Sequence, residues 1–219
     1  MSALEEIREV KKIYRAKRAD FEKRIAQFKA VWLSGSESAV LSELIFCIFT
    51  PQSKAVNCWK CVTSIIENKL LMNGTASDLL KLREINGVRF KNKKAVYAVT
   101  ARDMFMKNGR IGLRKFLSDF KDVYKMRDWL VKNIKGYGYK EASHFLRNIG
   151  FTDDITILDR HILKNLKLMA VIKRVPDSVT PKLYMEIEGK MKAFAKKIRI
   201  PLPALDLILW YREAGHIFK

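Results

Sequence analysis

Apolar residues recur at three- and four-residue spacing along almost the whole chain. Leu41, Leu44, Ile45 and Ile48 mark one such face, and Leu202, Leu205 and Leu209 mark another. This is the period of a helix with one buried stripe, whereas the strict alternation of a half-buried strand is scarce. The pattern predicts an all-α chain. Helix punctuation agrees with it. Ser34 with Glu37 has the spacing of a capping box opening a helix through Phe46, Thr180 precedes Pro181 as a cap followed by proline in the first turn, and Pro201 and Pro203 introduce the final helix. No repeat, low-complexity tract or flexible linker divides the 219 residues, so any lobes must arise by folding and not from a break in the sequence.

Composition narrows the partner. With 48% hydrophobic and 30% charged residues the chain can bury a sizeable core. Its 43 Lys plus Arg against 23 Asp plus Glu leave a formal charge of +20, which points to a polyanion, with nucleic acid ahead of an anionic membrane surface. No apolar run reaches the roughly 18 residues of a spanning helix. The opening MSALEEIREVKKIYRAKR lacks the apolar centre of a signal peptide, so an intracellular, DNA-associated protein is expected. Cys47, Cys58 and Cys61 are too few and too odd for a disulfide framework and are read as reduced thiols. Cys58-Trp-Lys-Cys61 has the spacing of half a zinc site or a redox pair, but no second pair follows, which also argues against an iron–sulfur cluster. His144, His161 and His216 have no metal-ligand spacing. His144 and His161 are expected to satisfy local hydrogen bonds, His161 near the Asp159 segment.

The most informative stretch is WLVKNIKGYGYKEASHFL, Trp129 to Leu146. A helical pattern meets Gly136-Tyr-Gly138 and restarts directly after it, which reads as helix, tight hairpin, helix. Two glycines let the backbone turn sharply and approach a surface, and the restarting helix offers amides and a positive dipole end to a phosphate. An ordinary glycine-capped helix connection has the same local pattern. Read singly, Lys140 is a surface cation and Asp159, in Ile157-Leu-Asp-Arg-His-Ile162, is the N-cap of a helix opening at Arg160.

Together these segments resemble the helix-hairpin-helix DNA glycosylases, whose pattern of apolar, x, Gly, apolar, Gly, x, Lys, x, Ala is matched from Ile134 through Ala142. In lyase-competent members of that superfamily the lysine two positions after the second glycine is the nucleophile, and a catalytic aspartate follows about nineteen residues later. The matching positions are Lys140 and Asp159. The stretch from Gly138 to Asn148 and the tail from Leu207 to Lys219 further resemble the compact 8-oxoguanine glycosylase/lyase branch, the second oxoguanine-glycosylase family, over nearly the whole chain. That branch lacks the β-rich N-terminal domain of the larger eukaryotic enzyme.

The resemblance implies a two-lobed helix-hairpin-helix glycosylase fold. Residues 1–35 and 150–219 would form one helical lobe and 36–149 the central lobe, with DNA clamped between them. It implies excision of 8-oxoguanine from duplex DNA by a monomer, through a lysine Schiff base and β-elimination. The chemistry needs both side chains. An amine must attack the anomeric carbon, and a carboxylate must stabilise positive charge on the sugar as the base departs. Trp210 and the carboxylate of Lys219 are the implied base pocket, an acceptor being suited to guanine N1–H and N2–H₂. Gln52, in Thr50-Pro-Gln-Ser-Lys-Ala55, is the implied wedge, and Arg89 and Phe90 the partners of the unpaired base. No cofactor is required, but backbone carbonyls of Lys132, Ile134 and Tyr137 would hold K⁺ or Na⁺. Two readings compete with this one. One is an endonuclease III-like enzyme for oxidised pyrimidines. The other is a non-catalytic duplex-binding module, which needs Gly136 and Gly138 but neither Lys140 nor Asp159.

Overall fold

The computed structural model describes residues 2–219. Its helices are α1 (Ala3–Leu33), α2 (Glu37–Phe49), α3 (Ala55–Glu67), α4 (Leu70–Asn73), α5 (Ala76–Lys81), α6 (Lys91–Met104), α7 (Leu113–Ser118), α8 (Val123–Asn133), α9 (Tyr139–Asn148), α10 (Arg160–Leu168), α11 (Pro181–Ile198) and α12 (Leu202–Ala214). A 3₁₀ turn covers Arg83–Gly87. The helical class read from the sequence holds, with one addition. β1 (Met106–Lys107) and β2 (Arg110–Ile111) pair antiparallel, Met106 opposite Ile111. Their two-residue loop is Asn108 (φ 50) and Gly109 (φ 72), the left-handed pair that a tight hairpin favours. No helix among the described residues is long and apolar enough to cross a membrane.

The chain forms two compact units, residues 2–29 with Gly150–Phe218, and Ala30–Ile149 with Lys219. In the first, α10 and α11 pack on α12. Leu205 and Leu209 are buried as their spacing requires, while Leu202 at the helix start is half-buried. Phe21 meets Tyr211 edge-on at 6.2 Å. The buried Glu6 carboxylate is paired with Arg212, whose guanidinium also donates to Asn165 Oδ1 at 2.7 Å. Thr180 caps α11, its hydroxyl accepting from Leu183 N at 3.3 Å with Pro181 in the first turn.

The second unit is built around α2, whose residues from Val40 to Phe49 are all buried under α3, α6, α7 and α9. A helix buried on every side belongs in a core, and fully burying each of Leu41, Leu44 and Ile48 contributes about 1.5–3 kcal/mol. Its cap is Ser36, which accepts from Ala39 N at 3.2 Å, and not Ser34. Ser34 finishes α1 instead, with both its amide and its hydroxyl bonded to Ala30 O at 3.0 Å. A single α1 carbonyl, Ala30 O, takes the Ser34 hydroxyl in place of the capping box that the spacing suggested.

Candidate functional site

The hairpin joining α8 to α9 is anchored by its apolar residues and leaves its glycines at the surface. Ile134 and Tyr137 are buried, and the Tyr137 hydroxyl donates to Leu44 O at 2.9 Å. Tyr137 N donates to Ile134 O at 3.1 Å, closing a turn whose third residue, Gly136, has φ +89. A β-carbon at 136 would also stand 3.1 Å from the Tyr97 ring, so both conformation and space call for glycine. The Gly138 amide is taken by Glu141 Oε2 at 3.1 Å, so that N–H is not left for a phosphate. Lys140 stands in the first turn of α9 with its side chain 26% exposed and its Nζ 3.9 Å from Glu141 Oε1.

Lys219 is held firmly in the same unit. Its ammonium pairs with the buried Glu43 carboxylate and lies 3.2 Å from the centre of the Trp59 ring and 5.7 Å from that of Phe46. Glu43 Oε2 also accepts from Asn148 Nδ2 at 2.9 Å. His144 completes this wall. Its ring meets Phe46 edge-on at 5.5 Å and faces the Lys219 backbone, in place of the local hydrogen bonds expected for it. Burial, followed by the Lys140 and Arg147 cations, holds the imidazole well below its usual range and hence neutral.

Two further candidates share a feature of this unit. Gln52 (φ 56) and Phe90 (φ 59) both hold left-handed backbone, which a bulky side chain seldom adopts, and both are exposed. The Arg89 guanidinium lies over the Phe90 ring at 5.0 Å. Phe90 borders a cleft of about 230 Å³ with Pro51, Lys93, Lys94, Tyr97 and Gly136.

Asp159 and Trp210 belong to the first unit. Asp159 is the N-cap of α10, its Oδ1 accepting from Ile162 N at 2.8 Å. The extended segment leading to it is pinned from α11: Tyr184 OH donates to Thr156 O at 2.7 Å and accepts from Leu158 N at 3.2 Å, while Glu188 Oε2 accepts from Thr156 N at 2.9 Å. Trp210 is half-buried beside His216, ring centres 5.4 Å apart. His161 is turned to Glu213, Nδ1 to Oε2 3.6 Å.

A family model described as 8-oxoguanine DNA glycosylase matches residues 21–200. The chain belongs to this family. A relative from Fusobacterium nucleatum named 8-oxoguanine DNA glycosylase/AP lyase is 47% identical over 219 residues and all of both chains. One of the same name from Methanocaldococcus jannaschii is 35% identical over 214 residues, 96% of this chain and 99% of the relative. Among solved structures, the M. jannaschii 8-oxoguanine glycosylase/lyase in complex with a 15mer DNA containing 8-oxoguanine has a TM-score of 0.86 at 31% identity, covering 97% of this chain and 99% of that one. The 8-oxoguanine DNA glycosylase of Thermotoga maritima has a TM-score of 0.83 at 30% identity, covering 99% and 100%.

In this glycosylase the cysteines are structural. All three are buried and free, and burial pushes the Cys58 and Cys61 thiols up to about 11 and about 12, so they are protonated at neutral pH and poor metal ligands. No cluster of three or more His, Cys, Asp or Glu among the described residues is arranged to hold a metal. The carbonyls of Lys132, Ile134 and Tyr137 lie at and just beyond the end of α8, where helix carbonyls lose their partners and the dipole is negative. That donor set fits an alkali cation, although Ile134 O already accepts from Tyr137 N. Sequence reasoning passed over Glu43, Trp59, Lys94, Tyr184 and Glu188. A signal existed for Glu43, a carboxylate between Ser42 and Leu44 in an apolar helix, since a buried charge demands a partner.

Proposed function

We propose that this protein excises 8-oxoguanine from duplex DNA and then cuts the strand at the resulting abasic site. The observation that carries the reading is the glycine hairpin delivering Lys140 on the first turn of α9, in a chain whose full-length relatives are named for that activity. The Lys140 amine attacks the anomeric carbon. Its N–C1′ bond forms as the glycosidic bond breaks and the base departs with its electron pair, to be protonated. Opening of the sugar ring gives an imine. Loss of a proton from C2′ then expels the 3′ phosphate, and water releases the amine. Asp159, fixed as a cap, supplies the carboxylate that stabilises positive charge on the sugar. Trp210 offers a face to the extruded base, and the Lys219 carboxylate accepts from its N1–H and N2–H₂. Gln52 fills the vacated space, while Arg89 and Phe90 meet the base left unpaired. An alkali cation on the carbonyls of Lys132, Ile134 and Tyr137 would supply positive charge for a DNA phosphate beside Gly136 and Gly138.

A panel of duplexes tests this, each bearing one 8-oxoguanine, one oxidised pyrimidine or only normal bases. Nicking confined to the 8-oxoguanine strand is expected. Preference for the pyrimidine lesion would favour the endonuclease III-like reading, and binding without nicking the non-catalytic one.

A further inference from the structure

Gln52 and Phe90 hold backbone conformations that nothing in their own side chains favours. Thr50 O accepts from Ser53 N at 2.9 Å, which makes a turn with Pro51 second and Gln52 third, and a positive φ at that third position ordinarily selects glycine. What holds the turn lies elsewhere in the sequence. Lys94, in the first turn of α6, is 5% exposed, and its ammonium donates to Pro51 O at 2.6 Å, Phe49 O at 2.7 Å and Ser53 Oγ at 3.3 Å. All three of its N–H groups are used. Pro51 O belongs to the peptide plane that leads into Gln52, so fixing that oxygen fixes one side of the strained φ. The second strained position opens the same helix: Phe90 is the N-cap of α6, its carbonyl taking the Lys94 amide at 3.1 Å, a backbone bond that any residue at 94 would make, so the ammonium reaches the Arg89–Phe90 turn through Ser53 Oγ. Ser53 Oγ joins the two segments again by accepting from Arg89 N at 2.9 Å.

A buried ammonium opposes folding, and here burial lowers the Lys94 pKa to about 8. An apolar side chain of similar volume would avoid that cost but would strip the ammonium bonds from Phe49 O and Pro51 O, so what the lysine adds is the fixing of these carbonyls. We infer that Lys94 is a positioning residue that binds the 50–53 turn and the Arg89–Phe90 turn into one rigid wedge, setting Gln52 and Phe90 for entry into the duplex as the damaged base leaves. The inference rests on the roles proposed above for Gln52, Arg89 and Phe90. Lys94 does not itself touch the reacting atoms.

The experiment separates base extrusion from later chemistry. Lys94→Met and Ser53→Ala are compared with wild type in single-turnover excision from an 8-oxoguanine duplex, in the fluorescence of a 2-aminopurine beside the lesion, and in β-elimination at a preformed abasic site, which has no base to unstack. For Lys94→Met, excision and the fluorescence rise should fall about tenfold or more while β-elimination stays within about twofold. Ser53→Ala should shift the same way by a smaller factor, and it decides the question if Lys94→Met does not fold. Equal losses in both steps, or no loss in either, would overturn the role of Lys94. A wild-type protein that neither excises 8-oxoguanine nor brightens the probe would instead overturn the functional reading beneath it.

Discussion

Two helix starts carry the proposed chemistry, and they hold their side chains by opposite means. At α10 the Asp159 carboxylate is part of the backbone architecture. It caps its own helix, and the segment before it is fastened by Tyr184 and Glu188. At α9 the backbone is equally constrained by Gly136 and Glu141, but Lys140 is a long arm whose nearest carboxylate stands 3.9 Å away. The difference matches the tasks. A group that stabilises charge works best when its orientation is fixed before the charge appears, whereas a nucleophile must move onto carbon and carry the sugar through several intermediates.

The largest loss is expected at Lys140. Lys140→Gln should lower strand cleavage by about 10³-fold or more and remove borohydride-trapped adduct, with little change in melting temperature because the side chain holds nothing structural. Asp159→Asn comes next. Asparagine still caps, so excision should fall about 10²–10³-fold while the melting temperature holds within a few degrees, and Asp159→Ala should cost about 1 kcal/mol of stability as well. Excision by the Asn variant at the wild-type rate would leave Asp159 a cap and nothing more.

A third effect concerns the wedge. Lys94 is lowered to about 8 in the folded chain, against 10.5 when unfolded, so between those values the unfolded chain binds the extra proton. Stability should therefore rise with pH from about 8 toward 10.5, by on the order of 2–3 kcal/mol, as the burden of the buried ammonium is relieved. The titratable groups facing it are the Cys58 thiol, at about 11, and the Glu141 and Lys140 side chains of α9. Denaturant melts across that range check the slope, which Lys94→Met should flatten. The smallest effect is strain itself. Gln52→Gly should stabilise the fold by about 0.5–1 kcal/mol, since glycine accepts φ 56 freely, while slowing excision by removing the side chain meant to fill the duplex.

These residues also show what a sequence can disclose. The hairpin was legible because glycine is needed twice within three residues, once for a left-handed φ and once for close approach of Glu141. The Asp159 cap was legible because capping is local. Ser34 misled because two helix ends compete for the same few residues, and the bonds it makes to Ala30 depend on where α1 stops. The ribbon at Asn108-Gly109 had its turn signal, but strands of two residues are too short to show alternation. Glu43 with Lys219, and Lys94 with Pro51, were not legible as pairs, since their partners are separated by 176 and 43 residues. Long separations bring groups together through helix packing, which no local pattern records.

Peptide mapping of the borohydride-trapped adduct with 8-oxoguanine duplex tests whether Lys140 is the nucleophile. One modified tryptic region is expected, with the mass of the reduced sugar remnant on Lys140. Reduction that places the remnant on any other amine, with Lys140 unmodified, would contradict it.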